Sequence, residues 1–280
     1  MEQLSLDFYW VFGHILFMAL GLSLGLLGAG GALLAYPILT FFFKLTPFAA
    51  TSYSFYVVNS VSLIGLILKR GNIHIKESLL FIIPSIVGVY FSRNFLFVRL
   101  PEVLLKTDFY TLYKSDVIET GMHLFMLIAG LALSIKKKNA ISESDADISS
   151  SKKPLLFLIL YSFLVGVITG IFGVGGGFLI IPVLVKLLHM GFKQATTTSL
   201  LIIFINTSAG ISVDLFNGFF LDPFLLSKLI VIGLFGLFIG NYFSKKMKTT
   251  TLQKALSFVM IIVGGSFLLN GFLNFFFWSV

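Results

Sequence analysis

The chain has 280 residues, of which 57% are hydrophobic and only 11% charged, with a formal net charge of +8. A mean hydropathy of +1.00 means more apolar side chain than one soluble core can bury, so a lipid bilayer is the expected solvent and partner. The basic excess sits in short loops between apolar blocks, where membrane orientation explains it without nucleic acid, and the absence of cysteine excludes disulfides and thiolate metal sites.

In chain order, apolar blocks cover residues 8–27, 32–43, 48–68, 78–98, 118–135, 155–172, 178–190, 195–213, 224–244 and 252–279. Most approach the roughly 20 residues that a helix needs to cross about 30 Å of hydrocarbon. The runs are continuous rather than alternating, which argues against a transmembrane barrel. The expected fold is therefore an all-α multipass membrane protein with its backbone groups satisfied inside each helix. The first block follows Glu2 and Asp7 with no basic residue before it and no small-residue cleavage site after it, so it is expected to stay in the mature protein. Blocks 32–43 and 178–190 are too short to span alone. Each follows a glycine cluster, Gly28-Ala29-Gly30-Gly31 and Gly173-Val174-Gly175-Gly176-Gly177.

Offsetting the chain by 145 residues aligns the two clusters, and eight of the twenty positions in 21–40 are then identical to 166–185. Composition alone would give roughly one or two. The same offset pairs Ala50, Thr51 and Ser54 with Ala195, Thr196 and Ser199. The expected organisation is a first membrane repeat over 1–135, a polar Ser- and Lys-rich linker over 136–153, and a second membrane repeat over 154–280. If each glycine-broken segment is one crossing, the 20 basic residues divide almost evenly between the faces. If the chain turns back at each cluster, Lys44, Arg93, Arg99, Lys106, Lys114 and Lys228 share one face and the other fourteen lie opposite. The second split is a normal orientation signal. It predicts inverted repeats, a cytoplasmic linker and both termini outside a cell (inner or plasma) membrane.

Each glycine in a helix interior costs about 1 kcal/mol, and broken backbone at membrane depth survives only inside protein or beside a polar cavity. Each cluster therefore predicts a broken or re-entrant helix that presents fresh N–H groups and a positive dipole end, suited to an anion. The candidate substrate-binding residues are Gly28, Gly30, Gly31, Gly173, Gly175, Gly176 and Gly177, with the hydroxyls of Thr51, Ser54, Thr196 and Ser199 and, after a two-residue gap, the amides of Asn59 and Asn206. Ser52, Thr197 and Thr198 lie in the same hydroxyl stretches. Pro37 and Pro182 are placed to kink the re-entering helices. For Gly21/Gly25, Gly166/Gly170 and Gly236/Gly240 close helix packing is the expectation. Bonding of the Ser and Thr hydroxyls to their own backbone competes evenly with substrate contact.

Ionisable residues inside the blocks are His14, Lys186, His189, Asp214 and Lys228, with Glu119 and His123 near a block start. Lys186, Asp214 and Lys228 are expected to snorkel to the interface. A packed neutral state is expected for His14 and His123, with proton coupling as the alternative. No nucleophile–base arrangement, metal-ligand cluster or complete nucleotide loop is present, so no enzyme activity, catalytic residue, metal or cofactor is expected.

The stretch Gly170-Ile-Phe-Gly173-Val-Gly175-Gly176-Gly177-Phe-Leu-Ile-Ile-Pro182, followed by Ala195-Thr-Thr-Thr-Ser199-Leu200 and Asn206, resembles the sulfite exporter TauE/SafE family, also called the toluenesulfonate uptake permease group. Lys69-Arg70-Gly71-Asn72-Ile73 is similar to the family's short basic loop. The first copy departs at Ala32 and Tyr53. The resemblance implies a permease or exporter of small anions such as sulfite and organosulfonates. An anion channel that uses the same broken helices is the alternative. A receptor or assembly subunit would have to rely on residues 99–117 and 136–153 outside the membrane, and a homo-oligomer stays open.

Overall fold

The computed structural model describes residues 2–27, 31–69, 75–106, 111–134, 155–186, 188–244, 254, 257–266 and 268–269. It is an all-α multipass membrane protein in which six helices are long and apolar enough to cross a bilayer. In order these elements are α1 (Glu2–Leu27), a 3-10 turn (Gly31–Leu34) leading into α2 (Ala35–Phe41), α3 (Pro47–Lys69), α4 (Ile75–Phe91) with a π-helical extension (Ser92–Arg99), α5 (Lys114–Ser134), α6 (Leu155–Phe172), α7 (Gly177–Lys186), α8 (Phe192–Phe216) and α9 (Pro223–Ser244). A further short apolar helix covers Ser257–Ser266. The apolar blocks up to 224–244 thus correspond closely to helices, and block 252–279 does so over Ser257–Ser266. An antiparallel hairpin of β1 (Val103–Lys106) and β2 (Thr111–Tyr113) fills the region that the sequence left without an element. The linker 136–153 lies outside the described residues.

The helices are built the reverse way from those of a soluble protein. On α9, Gly233, Gly236 and Gly240 are buried while Val231, Phe235, Phe238 and Tyr242 are exposed. Large apolar groups face the lipid and small ones face the protein, because lipid tails are as apolar as leucine and association depends on close backbone approach. Gly21 lies against the Gly233 carbonyl, Gly25 against that of Leu237 and Gly236 against that of Met18, so α1 and α9 run side by side in one direction. Gly166 against the Ser85 carbonyl and Gly170 against that of Val89 set α6 beside α4 in the same way. A Cβ added at Gly21 or Gly166 would come within 2.0 Å of a carbonyl oxygen. The packing expected of these small-residue spacings is therefore what they do. Between them α3 runs opposite to α8, with Phe55 at Gly210, Asn59 at Phe204 and Gly65 at Leu200.

The chain reverses at both glycine clusters. Gly31 sits against Leu20 and Ser23 of α1. The Phe43 ring beyond α2 lies 5.1 Å from Trp10 and 5.0 Å from His14, so the stretch after the first cluster descends alongside the helix before it. In the second half Gly176 packs on Val165 and Thr169, and the Tyr161 hydroxyl donates to the Leu179 carbonyl at 3.3 Å. At about 1.5 Å per residue, these two short helical stretches cover roughly half the ~30 Å of hydrocarbon. Pro37 occupies the first turn of α2, just after the 3-10 turn, and Pro182 the interior of α7.

Candidate functional site

The second glycine break is built from backbone that L side chains resist. Gly173, Gly175 and Gly176 have φ of 69°, 62° and 67°, values that glycine adopts freely. The last turn of α6 closes with Gly173 N–H donating to the Thr169 carbonyl at 2.8 Å, and α7 opens with Leu179 N–H donating to the Gly176 carbonyl at 2.9 Å. The break is wedged between α3 and α8. Ser54 donates to the Gly173 carbonyl at 2.7 Å, and a Cβ on Gly175 would meet Ile203, Val58 and Thr207. The Thr169 hydroxyl beside it is buried without a protein partner, and so is the amide nitrogen of Asn206 on α8. The Asn206 carbonyl oxygen accepts from Ser85 at 2.8 Å, and the Ser85 backbone abuts Gly166 on α6. The free Asn206 amide thus lies where α4, α6 and α8 meet, and Thr169 touches Gly176 itself. A buried donor without a partner costs about 1–3 kcal/mol, and the Thr169 hydroxyl carries that cost beside the N-terminus of α7.

A second constellation adjoins this one. Arg93, on the π-helical extension of α4, is 0% exposed and Asp214 near the end of α8 is 1% exposed. Arg93 Nε donates to Asp214 Oδ1 at 2.5 Å and an η-nitrogen donates to Oδ2 at 2.7 Å. Two further guanidinium donors reach Thr51 Oγ1 at 2.6 Å and the Ser52 hydroxyl. The Phe48 ring lies 4.2 Å from the guanidinium carbon and Phe55 5.1 Å from it. Snorkelling of Asp214 is corrected by this geometry: its carboxylate turns inward to a guanidinium, because a buried charge is retained only when paired. Arg93, counted in the sequence among loop charges, is likewise interior. Lys228 is exposed, with its ammonium 3.9 Å from the centre of the Phe224 ring.

The family model described as "Sulfite exporter TauE/SafE" matches residues 14–267. The chain belongs to this family. It is 26% identical to a Bacillus subtilis protein named "Probable membrane transporter protein YunE", over 92% of this chain and 98% of that one. It is also 26% identical to the "Probable membrane transporter protein YdhB" of the same organism, over 88% and 94% of the two chains. A probable membrane transporter protein of Methanocaldococcus jannaschii is 32% identical over 65% of each chain. No solved structure matches. Family and relatives together make this a membrane transporter.

Within this TauE/SafE chain the candidate residues fall into three groups. Gly28 and Gly30 lie outside the described residues. Gly31 packs on α1, and Gly173, Gly175, Gly176 and Gly177 form the second break. Thr51 and Ser199 donate to the carbonyls of Phe48 and Thr196 in their own helices, the bonding that competed with substrate contact, while Ser54 crosses to the break. Thr196 is buried on α8. Asn59 is committed to α8, donating to Phe204 O, Thr207 and Ser208 at 2.7–3.0 Å. Its counterpart Asn206 keeps a donor free. Sequence reasoning missed the Arg93–Asp214 pair, and the available signal was an ionisable residue inside an apolar block, which in a membrane protein is a functional candidate by default.

Proposed function

We propose that the protein is a permease or exporter of small oxyanions, of the sulfite and organosulfonate class, in a cell membrane, and that the anion is held at the N-terminus of α7. The observation that carries this reading is the Thr169 hydroxyl, buried, unpartnered and in contact with Gly176 at that terminus. Half-helix N-termini beside a free donor bind anions without a mobile countercharge. The two halves act as inverted repeats that rock against one another. Supporting this, α1 runs with α9 and α4 with α6, whereas α3 opposes α8. With short α3–α4 and α8–α9 connections, these pairings are those expected if α1 and α6, α3 and α8, and α4 and α9 have opposite senses.

Two measurements test the reading. In proteoliposomes, sulfite uptake by the wild type saturates and shows counterflow, and Thr169→Val lowers it about tenfold or more while leaving thermal stability equal or higher, because the hydroxyl makes no protein bond to lose. Undiminished uptake in this variant rejects the site, and uptake without saturation or counterflow identifies a channel. Reporter fusions are expected to place the linker 136–153 in the cytoplasm and the C-terminus outside. Both on the same face rejects the inverted arrangement.

A further inference from the structure

Among the described residues no positive side chain stands at the N-terminus of α7, yet a fully buried guanidinium reaches the same break through Thr51. Thr51, which accepts from Arg93, lies with its backbone against Gly173, and Ser54 three residues on donates to the Gly173 carbonyl. The guanidinium is arranged as an oxyanion receptor. Two parallel N–H donors engage both oxygens of one carboxylate, Thr51 and Ser52 each accept from a further donor, and Phe48 and Phe55 cover the group. A planar fork of this kind receives carboxylate, sulfonate or sulfite oxygens interchangeably, which an ammonium does not.

Among the described residues the pair occurs once, in a chain whose halves match in sequence. The contacts of α4 and α9 correspond when Gly88 is set on Gly236, since Gly88 meets Phe163, Gly166 and Val167 as Gly236 meets Met18, Gly21 and Leu22. In that register Ser92 falls on Gly240 and Arg93 on Asn241, and where Asn59 is set on Asn206, Asp214 falls on Ile67. A tie needed for folding either repeat would be expected in both, whereas one charged fork matches one anion per cycle.

We propose that Arg93 is an oxyanion-binding residue of the transport pathway, and that the Asp214 carboxylate occupies the place the transported oxyanion takes. This rests on the anion-transport reading above. Removing the carboxylate then strengthens anion binding, which a structural ion pair does not predict.

The test is sulfite titration of the purified full chain by thermal shift, with chloride at matched ionic strength as the control. Asp214→Asn is expected to bind sulfite at least tenfold more tightly than the wild type, and the double variant Arg93→Gln, Asp214→Asn to lose the gain. Arg93→Lys keeps a charge for Asp214 but not the fork. It is expected to weaken sulfite binding at least tenfold, and it decides the matter if Asp214→Asn does not fold. Equal Kd in Asp214→Asn and wild type, or an unchanged Kd in Arg93→Lys, overturns the proposal. An Asp214→Asn gain that needs Arg93, in a protein whose wild type shows no sulfite flux in proteoliposomes, upholds the oxyanion site and rejects transport. Flux without that gain does the reverse.

Discussion

Arg93→Ala will lower the stability of the folded protein by about 3–5 kcal/mol, because it leaves the Asp214 carboxylate buried at 1% exposure without its countercharge. The cost comes less from the lost attraction than from the orphaned charge, since burial removes the water that would otherwise solvate it. The double variant Arg93→Met, Asp214→Leu should therefore recover most of the loss, as paired replacement by apolar groups of similar volume is close to neutral. Sodium dodecyl sulfate titration in mixed micelles, run as a double-mutant cycle, checks both statements. A single-variant loss below about 1 kcal/mol would mean that the pair behaves as an exposed one, contrary to its enclosure by Thr51, Ser52, Phe48 and Phe55.

Gly175→Leu is expected to abolish sulfite flux, by roughly a hundredfold or more if the break is the binding site, since displacements of about 1 Å at a site have that effect. Two physical terms act together. The φ of 62° costs an L residue about 1–2 kcal/mol, and the new Cβ would stand 2.7 Å from an Ile203 methyl and 3.2 Å from one of Val58, forcing α3 and α8 apart. Gly218→Ala separates the terms. Gly218 has a φ of 73° but nothing within 4 Å of an added Cβ, so this variant should lose a similar conformational term and keep its flux. Proteoliposome uptake and thermal unfolding of the two variants, compared side by side, supply the check. Intact flux in Gly175→Leu removes the break from the transport site.

Much of the architecture was readable because it depends on local properties. The sequence block 155–172 coincides with α6, and 224–244 begins one residue inside α9, since continuous apolarity over a membrane thickness leaves helix as the only satisfied backbone. The reversals at Gly31 and Gly173–Gly176 were legible as glycine clusters followed by segments too short to span. The β-hairpin was not, because Val103-Leu-Leu-Lys and Thr-Leu-Tyr113 are too short to show an alternation. The π-helical extension that aims Arg93 inward also left no sequence trace, and the same block read equally well as continuous α-helix.

The site was only half legible. The sequence nominated Asn59 and Asn206 as equivalent donors, and only the packing of α3 on α8 revealed that Asn59 is consumed by Phe204, Thr207 and Ser208 while Asn206 keeps its amide free. Likewise Arg93 and Asp214 are 121 residues apart, a separation at which periodicity carries no information.

Composition, taken alone, determined that this chain crosses a membrane, and the internal sequence match pointed to two related halves with a glycine cluster in each, because hydrophobic transfer and φ freedom belong to residues one at a time. The tertiary structure decided the direction in which those helices lie together, the partner of the buried Arg93, and which buried donors among the described residues were left without one. Those outcomes depend on pairings between the halves, and the free energy of a buried charge or donor is set by its neighbours in space rather than in sequence.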